Sequence, residues 1–289
     1  MEKNRDLGRA RSLVIVTVAY ILAGVLGVCL CRALEGAMPF WAALLAADIA
    51  ATVLVFIGSV IMKNASMYDP YWSVQPIVIL AALAVGRPMS LPRALVIAAV
   101  TVWGVRLTAN WVYTFPGLHH QDWRYTMLRE RTGRAYPLIN FLGIHLVPTL
   151  IVYGCIWPGV CVLREEGAMN AGVAVFFALA LGAVCLQGTA DAQMHRFRAG
   201  KTGGLIRDGL WKYARHPNYL AEISIWWCVG LLACCALGLR WDLLAGAAAN
   251  TLLFLLASIP MADERQSAKP GYVQYRRETR MLLPLPRLR

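Results

Sequence analysis

The chain has 289 residues, of which 58% are hydrophobic and only 15% charged, and it carries a formal charge of +12. Its apolar residues come in long blocks rather than amphipathic stripes, which points to a polytopic membrane protein and away from a soluble domain. A charge of this size would suit nucleic acid, but the lysines and arginines stand between the apolar blocks and in the two tails. There they read as topology signals and as a site for an anionic ligand, with no nucleic-acid partner.

Residues 1–11 are polar and basic, and the apolar block behind them runs on for about 20 residues, long enough to span, so no cleaved signal is expected. Eight apolar segments follow in order: residues 12–31, 40–62, 71–85, 94–113, 139–163, 171–190, 218–237 and 241–261. The third is short and reads as a tilted or half-buried helix lining a cavity. The sequence therefore predicts an all-α transmembrane bundle of seven to eight helices. It is expected to form a single membrane domain, with N-terminal spans (1–190) that carry substrate-side polar residues and a cofactor-binding half (191–289). Lysine and arginine concentrate on one set of loops, which places both termini in the cytoplasm, and in a bacterial cell the membrane would be the inner one. The eight cysteines lie mostly inside apolar blocks, without zinc or disulfide-framework spacing, and read as small buried hydrophobes.

Three stretches on the expected cytoplasmic side carry the polar chemistry. In the first, residues 64–75, Asp69 and Pro70 favour a turn, Tyr68, Tyr71 and Trp72 sit at interface depth, and Asp69 and Gln75 need partners as they approach a span. The second begins with Arg106 and Asn110, four apart in the fourth span, and runs through Trp111, Tyr113, His119, His120, Asp122, Trp123, Arg124 and Tyr125. Adjacent histidines without a third spaced ligand do not make a metal site.

The third stretch opens with Asp191, His195 and Arg198 on one helical face. Glycines at 200, 203 and 204 break that helix, and Arg207, Asp208, Lys212, Arg215 and His216 lead to Pro217, which suits the first turn of a helix. Asn218 and Glu222, four apart, share a face of that helix, and a carboxylate entering hydrocarbon there marks a pocket or a structural pair. Asp263, Glu264 and Arg265 follow the last span, with Tyr272 and Tyr275 beyond. Together these groups make a basic, aromatic-lined pocket suited to a phosphorylated nucleotide. Since no GxGxxG motif is present, a transmembrane bundle would hold it, not a Rossmann sheet.

Residues Gly204 to Glu222, with Leu210, Tyr213, Arg215, His216, Pro217, Asn218, Tyr219 and Glu222, resemble the C-terminal signature of the steroid 5-alpha-reductase-like membrane enzymes, shared by the sterol C14 and delta-7 reductases. The whole chain, including Asp69 to Trp72 and Asp122 to Tyr125, is similar to the branch of that family known as DUF1295.

The resemblance implies a reductase that binds NADPH and reduces a carbon–carbon double bond conjugated to a ketone in a steroid-like or other lipid substrate. It assigns Asp191 and Arg198, seven apart, to the cofactor shell, with His195 in a basic position between them, Asn218 and Glu222 as its paired amide and acid, and Tyr275 with Pro284 nine positions on. Lys201, Arg207, Tyr213, Arg215, His216, Tyr219, Asp263, Arg265 and Tyr272 complete the expected shell. The steroid enzymes carry a Gln-Glu pair in the third segment. Here Gln75 is followed by Pro76, so the acid is missing, and Asp69 or Tyr71 would take its role, with Tyr113 as partner. Two alternatives remain: an S-adenosylmethionine-dependent methyltransferase of the isoprenylcysteine or phospholipid type, and a lipid transporter or binder without chemistry. No protein partner is evident.

Overall fold

The computed structural model describes residues 7–200 and 203–284. Helices dominate, and no strand occurs among the described residues. The α-helices are α1 (Arg9–Leu34), α2 (Phe40–Ile61), α3 (Tyr71–Ala84), α4 (Leu91–Thr114), α5 (Trp123–Thr132), α6 (Tyr136–Ile139), α7 (Val147–Arg164), α8 (Ala171–Ala199), α9 (Pro217–Leu237), α10 (Asp242–Leu253), α11 (Ile259–Ser267) and α12 (Tyr272–Glu278). The π-helical turns Asn140–Leu146 and Phe254–Ser258 join α6 to α7 and α10 to α11. Among the described residues, seven helical segments are long and apolar enough to cross a membrane: α1, α2, α4, Trp123–Arg164, α8, α9 and Asp242–Ser267. This is an integral membrane protein with the expected all-α bundle.

The third apolar segment forms α3, only 14 residues with Pro76 inside it, about 21 Å of helix. Loop contacts place its start beside the loop that follows α4. Asn64, just ahead of α3, donates to the carbonyls of Leu118 and His120, each at 2.8 Å, and Ser66 Oγ accepts from the backbone of Asp122 at 2.8 Å. The loop before α3 and the loop after α4 therefore share one face.

Contacts divide the chain into two compact units, Met1–Pro88 with Gly104–Tyr153, and Met89–Trp103 with Gly154–Arg289. The boundaries fall inside α4 and α7, not near residue 190. In the first unit α1 packs on α2, and Tyr68 and Tyr71 join Ala23, Ala51 and Val55 in a buried cluster. In the second, α8 and α10 pack on α9. There α7 and α10 touch backbone to backbone: a Cβ on Gly246 would lie 2.0 Å from the carbonyl carbon of Gly154. Small residues permit this approach where lipid offers no hydrophobic drive between helices.

Candidate functional site

In the first unit α1, α2 and α3 line a partly open cavity of about 390 Å³, within the range of small-molecule sites. Its lining is mostly aliphatic, interrupted by Tyr20, Asp48, Tyr71 and Gln75, with Arg32, Glu35 and Arg87 also on its wall. Asp48 lies in the middle of α2 at 3% exposure. Gln75 of α3 donates an N–H to its Oδ1, while its Oδ2 is buried with no hydrogen-bond partner among the described residues. The Tyr71 hydroxyl, on a residue also 3% exposed, is likewise buried, with the Thr52 side chain against it. Thr52 in turn pairs with Thr149 at 3.0 Å. Tyr20, which meets the Tyr71 ring edge-on at 5.3 Å, spends its own proton on the Met67 carbonyl.

Asp69 lies on the same unit but in a separate network. The Tyr125 hydroxyl donates to it, and the Arg124 guanidinium stands 3.6 Å away, itself held by Asp122 at 2.8 Å. Burial pushes the Asp69 carboxyl up to about 6, against the opposing pull of Arg124.

In the second unit the residues of the Arg-His-Pro segment are largely committed to internal bonds. Pro217 opens α9 as expected. Glu222, 2% exposed, accepts three N–H bonds: from Trp103 Nε1 at 2.9 Å, Gln187 Nε2 at 2.7 Å and Trp226 Nε1 at 2.9 Å. These donors satisfy a carboxylate that hydrocarbon would otherwise penalise. Arg215, 7% exposed, donates to the Thr279 carbonyl at 2.8 Å and to Asp263 at 3.2 Å, and His216 Nε2 meets the other oxygen of Asp263 at 2.8 Å. Backbone bonds from Arg215 to Arg280 and from His216 to Met281 tie the following chain to the same place. Tyr275 completes this clamp by donating to the Trp211 carbonyl at 2.7 Å, and burial raises its phenol to about 12.

Beside the clamp lies a cluster of cations. Lys269, whose ammonium donates to the Gly204 carbonyl at 3.0 Å, is lowered first by burial and then by repulsion from Arg265 and Arg198. Arg207 donates to the Gly271 carbonyl at 2.8 Å and lies over the Tyr275 ring. Gly209, at φ +58°, takes a conformation that other residues avoid, and a Cβ there would strike Gln193, whose Oε1 accepts from the Leu210 backbone at 2.9 Å.

Residues 55–279 match the family described as "Protein of unknown function (DUF1295)". The chain belongs to that family. An uncharacterized protein of Schizosaccharomyces pombe, C594.04c, is 27% identical over 217 residues, which take in 65% of this chain and 62% of the relative, so the chain spans less than two thirds of that relative's length. No solved structure matches the chain. The DUF1295 match includes Asp69, Tyr71, Gln75 and the whole Arg215–Asp263 clamp, but begins after Asp48.

Of the residues predicted to serve catalysis in this DUF1295 protein, Tyr71 and Gln75 line the cavity, whereas Asp69 does not. Tyr113, near the end of α4, is 73% exposed and outside the cavity wall, because its helical position turns it outward. Among the predicted cofactor residues, Asp191, His195 and Arg198 share α8 as expected, and Arg198 and Arg265 join the cation cluster. Tyr213 is exposed near the Lys212 ammonium, and Tyr219 stacks on His216 at 5.2 Å. Asn218 is half-buried in the first turn of α9, and Tyr272 is buried beside Tyr275. Lys201 lies outside the described residues. Asp48 was not among the predicted residues, although a single carboxyl group inside an apolar span was signal enough.

Proposed function

We propose that this protein is an NADPH-dependent membrane reductase acting on a carbon–carbon double bond conjugated to a ketone in a steroid-like or other lipid substrate. The observation that carries this reading is the setting of Lys269, a partly buried ammonium near enough to Arg265 and Arg198 to be disfavoured by both, after burial itself. Like charges held together are relieved by an anion, and a phosphorylated nucleotide fits that need. These three residues and Arg207 would hold phosphates, while Asp191 and Asn218 would orient ribose or amide groups. NADPH, when bound, would supply the hydride. In the first unit the Tyr71 hydroxyl would donate to the ketone oxygen, where enolate charge develops, and the aliphatic wall would exclude water. With α3 counted as a crossing beside the seven candidate spans, the chain would return to the face from which it set out. We read that face as cytoplasmic from its excess of lysine and arginine.

Thermal unfolding of the purified protein in detergent tests the reading. NADPH is expected to raise the unfolding midpoint, S-adenosylhomocysteine to leave it unchanged, and the double variant Arg198→Ala/Lys269→Ala to lose about 10-fold or more in apparent NADPH affinity, as befits two charge-assisted contacts. Stabilisation by S-adenosylhomocysteine alone would replace the reductase with a methyltransferase. An unaltered midpoint with every nucleotide would favour a lipid carrier.

A further inference from the structure

The cavity of the first unit is long and narrow. On α1 its wall runs from Tyr20 to Arg32, and along α3 from Tyr71 to Arg87 just beyond that helix, so by helical rise it follows the spans for about 18 Å. A volume of 390 Å³ spread over about 18 Å leaves a section of roughly 20 Å². That is the girth of one extended hydrocarbon chain, and it is tight for a fused ring system. In the inner half the polar side chains are engaged with the protein itself: Gln75 donates to Asp48, Tyr20 donates to the Met67 carbonyl, and Thr52 lies against the Tyr71 hydroxyl. The rest of the wall there is aliphatic, with Ala23, Leu44, Ala47, Val74 and Val78. Charge stands at the other end. Arg32 in the last turn of α1, Glu35 just beyond it and Arg87, three residues after α3, line the cavity together. Arg32, Glu35 and Gly86 are exposed where Ala23, Ala51 and Tyr71 are buried, so this end is the mouth. Arg87 donates to the Leu83 carbonyl, which lays its stem along the wall. Two guanidinium groups against one carboxylate leave the mouth positive among the described residues that line it. Topology does not require that charge, because the basic start of the chain lies at the opposite end of α1.

We infer that this cavity takes a single-chain amphiphile with an anionic head, a carboxylate or a phosphate. The head sits between Arg32 and Arg87, and the tail runs among α1, α2 and α3 towards Tyr20. Guanidinium groups hold either kind of head through paired N–H donors. At the end of the spans the head keeps its contact with water while the tail fills the slot. The site goes beyond the reductase reading, since binding requires neither nucleotide nor turnover.

The test places the protein in phosphatidylcholine nanodiscs with hexadecanoate carrying a diazirine near its methyl end, and maps light-driven cross-links by mass spectrometry. Labelling at residues 20–24 of α1 and 74–78 of α3 is expected to exceed that at Val175 and Leu179, exposed on α8, by about tenfold, as a built site does over bulk lipid contact. Unlabelled hexadecanoate or hexadecyl phosphate is expected to suppress it about tenfold, and hexadecanol or hexadecyltrimethylammonium less than about twofold, because the mouth selects by charge. Arg32→Gln/Arg87→Gln is expected to lower labelling about tenfold, while the same probe ending in an alcohol labels variant and parent to one lower level, which shows that the cavity is intact. Glu35→Gln removes the acid and is expected to raise labelling by the carboxylate probe about twofold, a gain that misfolding does not produce. Equal labelling of the cavity wall and α8 overturns the inference, as do equal competition by anionic, neutral and cationic heads and unchanged labelling in the arginine variant. Cholanoate, a carboxylate on fused rings, overturns the choice of a single chain if it competes as well as hexadecanoate. Each of these results leaves the reductase reading to its own nucleotide test.

Discussion

Two carboxyl groups stand within the spans at nearly equal burial, Glu222 of α9 at 2% exposure and Asp48 of α2 at 3%. Glu222 is enclosed by three N–H donors from two tryptophans and a glutamine. Asp48 has one donor, Gln75, and a second oxygen buried without a hydrogen-bond partner among the described residues. Burial alone does not separate a structural acid from a functional one, but the count of partners does. A satisfied group holds helices together, and an unsatisfied one is a standing cost that a ligand can relieve.

The largest expected effect sharpens that contrast. Glu222→Ala strands two indole N–H groups and the Gln187 amide at once, and is expected to cost about 3–5 kcal/mol and most of the folded yield. Asp48→Asn is expected to leave the unfolding midpoint within about 2 °C of the parent, since it breaks no bond that the fold depends on. Equal losses in the two variants would break the comparison. Next in size, Asp263→Ala frees Arg215 and His216 together and is expected to cost about 2–3 kcal/mol. Limited proteolysis should then cut residues 270–284 at least tenfold faster.

Asp69 stands between the two cases, partly paired and partly penalised. Its folded-state value of about 6 lies above the ordinary 3.8, so the folded chain binds this proton more tightly than the unfolded one. Stability from this group is therefore greatest below about pH 4, falls as pH rises towards 6, and is level above that. Asp69→Asn should remove the slope and gain about 1–2 kcal/mol at pH 7.5, discounted from the roughly 3 kcal/mol of the shift alone because Arg124 is lost as a partner. Parallel profiles for variant and parent between pH 4 and 7.5 would show that Asp69 carries no such penalty.

Much of the fold is legible in the sequence because hydropathy blocks and proline positions act locally. The spans, the shortness of α3 and the helix start at Pro217 all follow from neighbouring residues. The π-turns at Asn140–Leu146 and Phe254–Ser258 leave no comparable local mark. Partnership is harder still. Nothing near Glu222 announces that Trp103, 119 positions away, will meet it, so an acid beside an Arg-His-Pro run reads as part of a ligand shell. Asp48 is the reverse case. Its span reads as plain hydrocarbon filler, yet one carboxyl among alanines and leucines already implied a partner or a cavity. That Gln75 would be the partner depends on how α2 and α3 align, which spacing along the chain does not give.

The Arg215 clamp also sets an order of events during synthesis. The guanidinium donates to Asp263, 48 positions later, and to the Thr279 carbonyl, 64 positions later. While the ribosome is still making α10 and α11, that charge waits at the start of α9 with none of these companions. Closure of this corner is therefore among the last acts of assembly, and a nascent chain stalled before residue 263 would display an open, basic α9 entrance to the insertion and quality-control machinery.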